Sequence, residues 1–224
     1  MKFKVFFSAI GLISVFGCAP SIKITSEFQD PTYSFGQIKK NESIKVIAAE
    51  KINVMEFQKS YRKEYATDHD FATSLQSQIT DGIKSIIGCK ANGTGTQQEA
   101  SILVSGSFDQ NSIDQIQQLF GSTSETLILL VKSVDISNKR TSNGSMMMAS
   151  PGGGMMMTGG GSQESCVVTL NVELWDVKTK KKVLAYSATG EAKVTMLFFG
   201  TALKNAVSNA IKYMVNYPVT GLTT

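Results

Sequence analysis

Apolar residues recur along this chain in two rhythms, one helical and one alternating. Between Thr67 and Gly88, Phe71, Leu75, Ile79, Ile83 and Ile86 fall on one face at helical spacing. Thr67 followed three residues later by Asp70 predicts a capping box, and Gly88 predicts the C-terminal cap. Gly82 inside this helix weakens it by up to about 1 kcal/mol, which packing can absorb. A second helix is predicted by Leu203, Ala206, Val207, Ala210, Ile211, Met214 and Val215, with Pro218 as its stop. The other rhythm is alternation. Val168, Leu170, Val172 and Leu174 alternate with polar residues over 165–177. A turn at 178–182 leads to a second alternating run over 183–194, so the pair predicts a β-hairpin. Thr126–Val131 is apolar on both faces and predicts a central strand continuing through Val134 and Ile136. Ser43–Glu50 predicts a short strand, and Ile102, Val104, Gly106 and Phe108 predict another over 100–108. Residues 112–120 predict a short helix, 90–99 a polar loop, and the charged 56–65 is ambiguous.

The resulting order is β-α-β-(α)-β-long loop-β-β-α. It implies an α/β (α+β) two-layer sandwich, with a mixed, largely antiparallel sheet and helices on one face. Residues 44–218 form one globular domain on this reading, and 219–224 a short tail. Residues 18–43 are polar, hold Pro20 and Pro31, and read as an N-terminal segment and tether.

The first residues carry an address. Lys2 and Lys4 precede an apolar run from Val5 to Gly17, the length of a signal-peptide core and too short for a membrane-spanning helix. The run ends at Val15-Phe16-Gly17-Cys18, which resembles a bacterial lipobox; Phe16 stands where a smaller residue is more usual. The resemblance implies removal of 1–17, a lipidated Cys18 carrying palmitate-type acyl chains, and a bacterial envelope location. The expected site is the outer membrane, facing the periplasm. Acyl chains anchor firmly, at about 0.8 kcal/mol per buried methylene. Cleavage removes two lysines and lowers the net charge from +4 to +2, too little for gripping phosphate backbones, so nucleic acid is excluded as a partner.

With Cys18 lipidated, Cys89 and Cys166 remain. In an oxidising envelope they are either a disulfide closing a long loop or two buried thiols. The one unusual segment lies between Arg140 and Glu164, where no residue of 141–163 is charged. It holds Met146, Met147, Met148, Met155, Met156 and Met157 among runs of glycine, and reads as a long loop joining two strands. Four roles are open to it. It is a low-complexity loop, an adaptable apolar contact surface, a soft-metal site for Cu(I) or Ag(I), or a β-hairpin inserted in a bilayer.

Little else supports chemistry. A single His argues against His-dependent hydrolysis and His-rich metal sites. His69 sits between Asp68 and Asp70 in a helix start and reads as structural. Ser60-Tyr61-Arg62-Lys63 matches S-x-x-K without its companion motifs, and Gly93-Thr94-Gly95 begins no dinucleotide fingerprint. Lys178, Lys180, Lys181 and Lys182 read as a solvated turn. No catalytic residue, cofactor or resident metal is expected.

Two stretches carry a further likeness: Leu127–Val134, and Val172–Val183 with its Trp175-Asp176-Val177-Lys178-Thr179 turn. With the lipobox, this order of elements resembles envelope lipoproteins sharing the fold of the curli-secretion lipoprotein, the lipoprotein activator of penicillin-binding protein, and the N-terminal domain of TolB. The resemblance implies a non-enzymatic binding or assembly factor with a protein partner, and homo-oligomers within reach. A subunit of a secretion or pore assembly is the more specific alternative, and a soft-metal lipoprotein using the Met segment is another.

Overall fold

In a computed structural model the described residues are 23–36, 38, 42–105, 110–142, 146–149, 155–158, 162–195 and 198–222. Cys18 and the signal segment therefore lie outside the described residues.

A mixed seven-stranded sheet organises the chain. Its order is β1 (Ile24–Gln29), β9 (Lys181–Lys193), β8 (Ser162–Asp176), β5 (Leu127–Ser142), β2 (Ser43–Ala48) and β4 (Lys90–Asn92), with β3 (Ile52–Val54) also paired to β5. β2 and β3 lie parallel to successive stretches of β5, while β8, β9 and β1 add on antiparallel. The apolar run at 127–131 is thus a central strand, and the 165–194 hairpin forms as its alternation requires. A bulge at Lys132 shifts the alternation of β5, so Val131, Val134 and Ile136 all face the same core.

That core lies beneath α1 (Gln58–Glu64), α2 (Asp68–Ile86) and α5 (Phe199–Thr220). The predicted capping box starts α2: Thr67 Oγ1 accepts from the Asp70 N–H, and Asp70 accepts from the Thr67 N–H. Gly88 follows the helix at φ +77°, as a left-handed cap requires. α5 lies unusually near the sheet. A Cβ on Gly190 would stand 2.0 Å from the Ala206 carbonyl oxygen, so only glycine lets the helix sit there.

Several expectations change. Residues 100–105 are not a strand but belong to α3 (Gln97–Ser105), while 106–108, including Phe108, lie outside the described residues. A second capping box explains it. Thr96 Oγ1 accepts from the Glu99 N–H at 3.2 Å, and Glu99 accepts from the Thr96 N–H at 2.8 Å. Ala100 and Leu103, three apart, then pack with Leu119 and Phe120 of α4 (Gln110–Ser122) against Ile47, Ile128 and Leu130. α3 and α4 thereby add a second, smaller helical layer on the other face of the sheet. Residues 24–29, read as tether, form the edge strand β1, and residues 90–92, read as loop, form β4. Pro218 lies within the last turn of α5 instead of after it. The helix ends at Gly221, φ +67°.

The candidate disulfide does not form. Cys89 and Cys166 are both buried thiols. Cys89 precedes β4, which lies three strands from β8, the strand carrying Cys166. Three interstrand steps are roughly 14 Å, twice the Cα separation a disulfide tolerates. They also sit at opposite ends of the sheet, since Lys90 pairs with Ser43 beside Leu127, whereas Cys166 pairs with Asn138. Burial pushes the Cys166 thiol up to about 12, and burial with the nearby Glu42 charge raises that of Cys89.

Candidate functional site

Three surfaces emerge from this architecture. The first is the part of the second sheet face that no helix covers among the described residues. On β5, β8 and β9 it carries Ser133, Asp135, Thr169, Asn171, Ser187 and Thr189, the polar partners of the core alternation. These side chains are wired to one another. Asn171 donates to Ser133 Oγ and to Asp135 Oδ2, both at 2.9 Å, and Asn53 donates to Asp135 Oδ1 at 2.7 Å. Ser187 Oγ lies 2.7 Å from both Asn171 Oδ1 and Glu27 Oε1, and Thr169 and Thr189 meet at 3.1 Å. At its margin Glu173 is buried to 6% exposure. Its carboxylate is held by Lys182 at 3.2 Å, Lys132 at 3.5 Å and the Trp175 Nε1–H at 3.2 Å. Lys182 also lies over the Phe28 and Trp175 rings. The lysine turn is therefore only partly a solvated cluster: Lys182 is built into the sheet.

The second surface is an open cleft of about 420 Å³ at the end of the sheet where β5 begins and β8 ends. Tyr33, Ile38, Leu127, Val177 and Val183 supply apolar walls, while Glu42, Glu125, Asp176 and Lys178 charge its lining. Burial raises the Glu125 carboxyl, but hydrogen bonds from Asn92, its own backbone and Ser124 outweigh that and leave it below the ordinary value. No group of three or more His, Cys, Asp or Glu capable of holding a metal occurs among the described residues.

The third is the Met/Gly segment at the opposite end. It is not wholly a loop. β6 (Met146–Ala149) and β7 (Met155–Thr158) form an antiparallel ribbon pairing Met147 with Met157 and Met148 with Met156. The six candidate methionines are thus brought together in the backbone register. The sequence leaves a β-hairpin as one of four open roles, because consecutive Met residues show no alternation.

His69 is exposed, with Nδ1 2.7 Å from Glu50 Oε1 at the start of α2, consistent with its structural reading. Ser60 and Lys63 lie on α1, and Lys63 is exposed. Among the described residues no helix is long and apolar enough to cross a membrane.

The fold defines a mixed α/β domain with an open sheet and an extended hairpin. No known family profile and no curated protein matches the chain. Among solved structures it is similar to a PelC dodecamer from Paraburkholderia phytofirmans, with 13% identity, TM-score 0.40, and 89% of this chain and 98% of that one covered. It is also similar to a homolog of neuraminyllactose-binding hemagglutinin from Helicobacter pylori, with 14% identity, TM-score 0.36, and 89% and 92% covered. Lipoprotein GNA1162 from Neisseria meningitidis is a third, with 13% identity, TM-score 0.35, and 78% and 99% covered.

Proposed function

We propose that this chain is a lipid-anchored bacterial envelope protein that acts as a non-enzymatic binding or assembly factor, held in the outer membrane through Cys18 and facing the periplasm. The observation that carries the binding role is the uncovered sheet face. Its polar side chains are half-buried, flat and already hydrogen-bonded to each other, which suits a broad protein partner better than a small molecule that needs concavity. The lipobox ending at Cys18 carries the anchoring.

The test has two parts. Palmitate label should enter the wild type and be lost with Cys18→Ala, which should also leave the membrane. Photo-crosslinkers placed at Thr169 and Thr189 should give a discrete adduct with an envelope protein, or with a second copy of this chain. The same probe at Lys212 on α5 should not. An uncrosslinked sheet face would remove the binding role.

A further inference from the structure

We infer that Lys132 and Lys182 form an anion site on the open sheet face, built to take a carboxylate of an acidic protein partner; the partner rests on the binding role proposed above. The first observation is how the two lysines reach one place. β5 carries an extra residue between Val131, opposite Val172, and Ser133, opposite Asn171, and that residue is Lys132. β9 carries another, because Leu174 lies opposite Leu184 and Trp175 opposite Lys182, which leaves Val183 over. A bulge re-aims the side chains beside it. Here one bulge sits on each strand flanking β8, and each brings a lysine onto Glu173, which β8 presents between them.

The second observation is the charge count. Lys182 at 3.2 Å and Lys132 at 3.5 Å share one oxygen, Glu173 Oε1, while Oε2 accepts from the Trp175 indole. Among the described residues neither ammonium is paired with a second carboxylate. Two cations therefore face one anion. The other acids of this face engage neighbours of their own: Asp135 accepts from Asn53 and Asn171, and Glu27 lies against Ser187. Glu173 is buried and cannot turn to solvent, whereas the side chains of Lys132 and Lys182 stay 35% and 36% exposed. Each ammonium carries three N–H donors, and Glu173 Oε1 takes only one from each.

Charge and shape then choose the occupant. One added carboxylate brings the cluster to two cations and two anions, the balance that a desolvated ion cluster needs. A phosphate, with up to two negative charges, would exceed it. Beside the lysines, Lys182 lies 5.8 Å from the Phe28 ring centre and 6.0 Å from that of Trp175, and Phe28 is 41% exposed. Apolar rings next to the ammoniums strengthen an ion pair once a partner covers them and excludes water. An aspartate or glutamate flanked by apolar residues on a broad protein surface meets both demands. The two lysines would then supply the charge recognition that the neutral hydrogen-bonded rows around Asn171 lack.

The experiment uses the full chain in detergent micelles and a fluorescein-labelled peptide in which glutamate alternates with tyrosine. A second peptide carries glutamine for every glutamate. At low ionic strength, anisotropy should show the glutamate peptide bound on the order of tenfold more tightly. Lys132→Gln/Lys182→Gln should abolish that preference. This variant leaves Glu173 buried without a cation, so a second one, Lys132→Gln/Lys182→Gln/Glu173→Gln, removes all three charges together. It should melt cooperatively and also lack the preference. Lys178→Gln/Lys180→Gln, on the exposed turn, should keep it. Equal binding of the two peptides to the wild type would overturn the inference. So would a preference that survives without Lys132 and Lys182, or one that disappears with the turn lysines. A heparin fragment bound where the glutamate peptide is not would also overturn it, by making the site one for an anionic glycan. The two readings fail separately. A glutamate preference with no crosslinked adduct at Thr169 or Thr189 leaves the anion site and removes the protein partner. An adduct formed equally by the wild type and the triple variant leaves the binding face and removes the anion site.

Discussion

The Tyr186 hydroxyl donates to the Met214 carbonyl oxygen at 2.8 Å, across the packing of β9 on α5. Met214 is the residue whose carbonyl would accept from the N–H of residue 218 in an uninterrupted helix, and residue 218 is proline. The phenol therefore supplies the donor that the proline lacks. The Pro218 carbonyl in turn accepts from the Tyr33 hydroxyl at 2.8 Å, so one residue explains two buried tyrosines.

Tyr186→Phe should cost about 1–3 kcal/mol, because it leaves a buried carbonyl unsatisfied. Pro218→Ala restores an N–H to that carbonyl. In the double variant the loss should therefore be smaller than the two single losses added, a coupling that urea denaturation of all four proteins measures.

Burial holds the phenols of Tyr33, Tyr61 and Tyr186 above the ordinary value of 10.0. It likewise moves the Cys166 thiol from 9.0 to about 12. A raised folded-state value stabilises fully below the unfolded value and is lost as pH rises through the folded one. Stability should thus be independent of these groups up to about pH 8 and fall progressively above pH 9–10. Chemical denaturation at a series of pH values checks this, and Tyr33→Phe should flatten the alkaline limb.

Gly190→Ala should destabilise strongly, on the order of 3 kcal/mol or more, since its methyl would overlap the backbone of α5 at Ala206 and Ala210. The same change at Gly121, where a Cβ meets nothing within 4 Å, should be neutral or slightly stabilising. A thermal melt of both variants separates close approach from a general effect of glycine replacement.

Reducing agent should leave the melting temperature unchanged, because Cys89 and Cys166 are thiols. At pH 8 the folded protein should react slowly with Ellman's reagent and the urea-unfolded protein rapidly. Fast reaction of the folded chain would contradict the burial of both side chains, which are 3% and 0% exposed.

If the methionine register also binds soft metal, replacing the six ribbon methionines with leucine should abolish Cu(I) uptake while preserving apolar character. Equal affinity of the two proteins for Cu(I), measured against a chromophoric competitor, would leave the ribbon a purely apolar element.

Much of this architecture was legible where local and global signals agree. Thr67 and Asp70 cap α2 as their spacing requires, Thr126–Val131 is central because it is apolar on both faces, and the 165–194 hairpin follows its alternation. Failures came where two signals competed. Ile102, Val104 and Phe108 alternate, but Thr96 and Glu99 cap a helix, and the i, i+3 pair Ala100 and Leu103 buries Leu103, a residue that alternation does not select. β1 was illegible because its six residues include one buried side chain, Ile24; its place comes from pairing with β9, not from its own pattern. Pro218 looked like a terminator because its missing donor is replaced by Tyr186, 28 residues away in a segment with no sequence mark of that role. Of the candidate sites, the Met segment stood out by composition, whereas the hydrogen-bonded sheet face needed the register of five strands to assemble.

The contact between Tyr33 and Pro218 spans 185 residues, and β1 pairs with a strand more than 150 positions away. The first strand of the domain has no partner until β9 exists, and the last turn of α5 closes over both. Long-range closure of this kind makes folding late and slow relative to synthesis. On the envelope location proposed above, a chain still being threaded through a translocation channel would lack the residues that complete its core, and would stay unfolded and transportable until its C-terminus emerged on the far side.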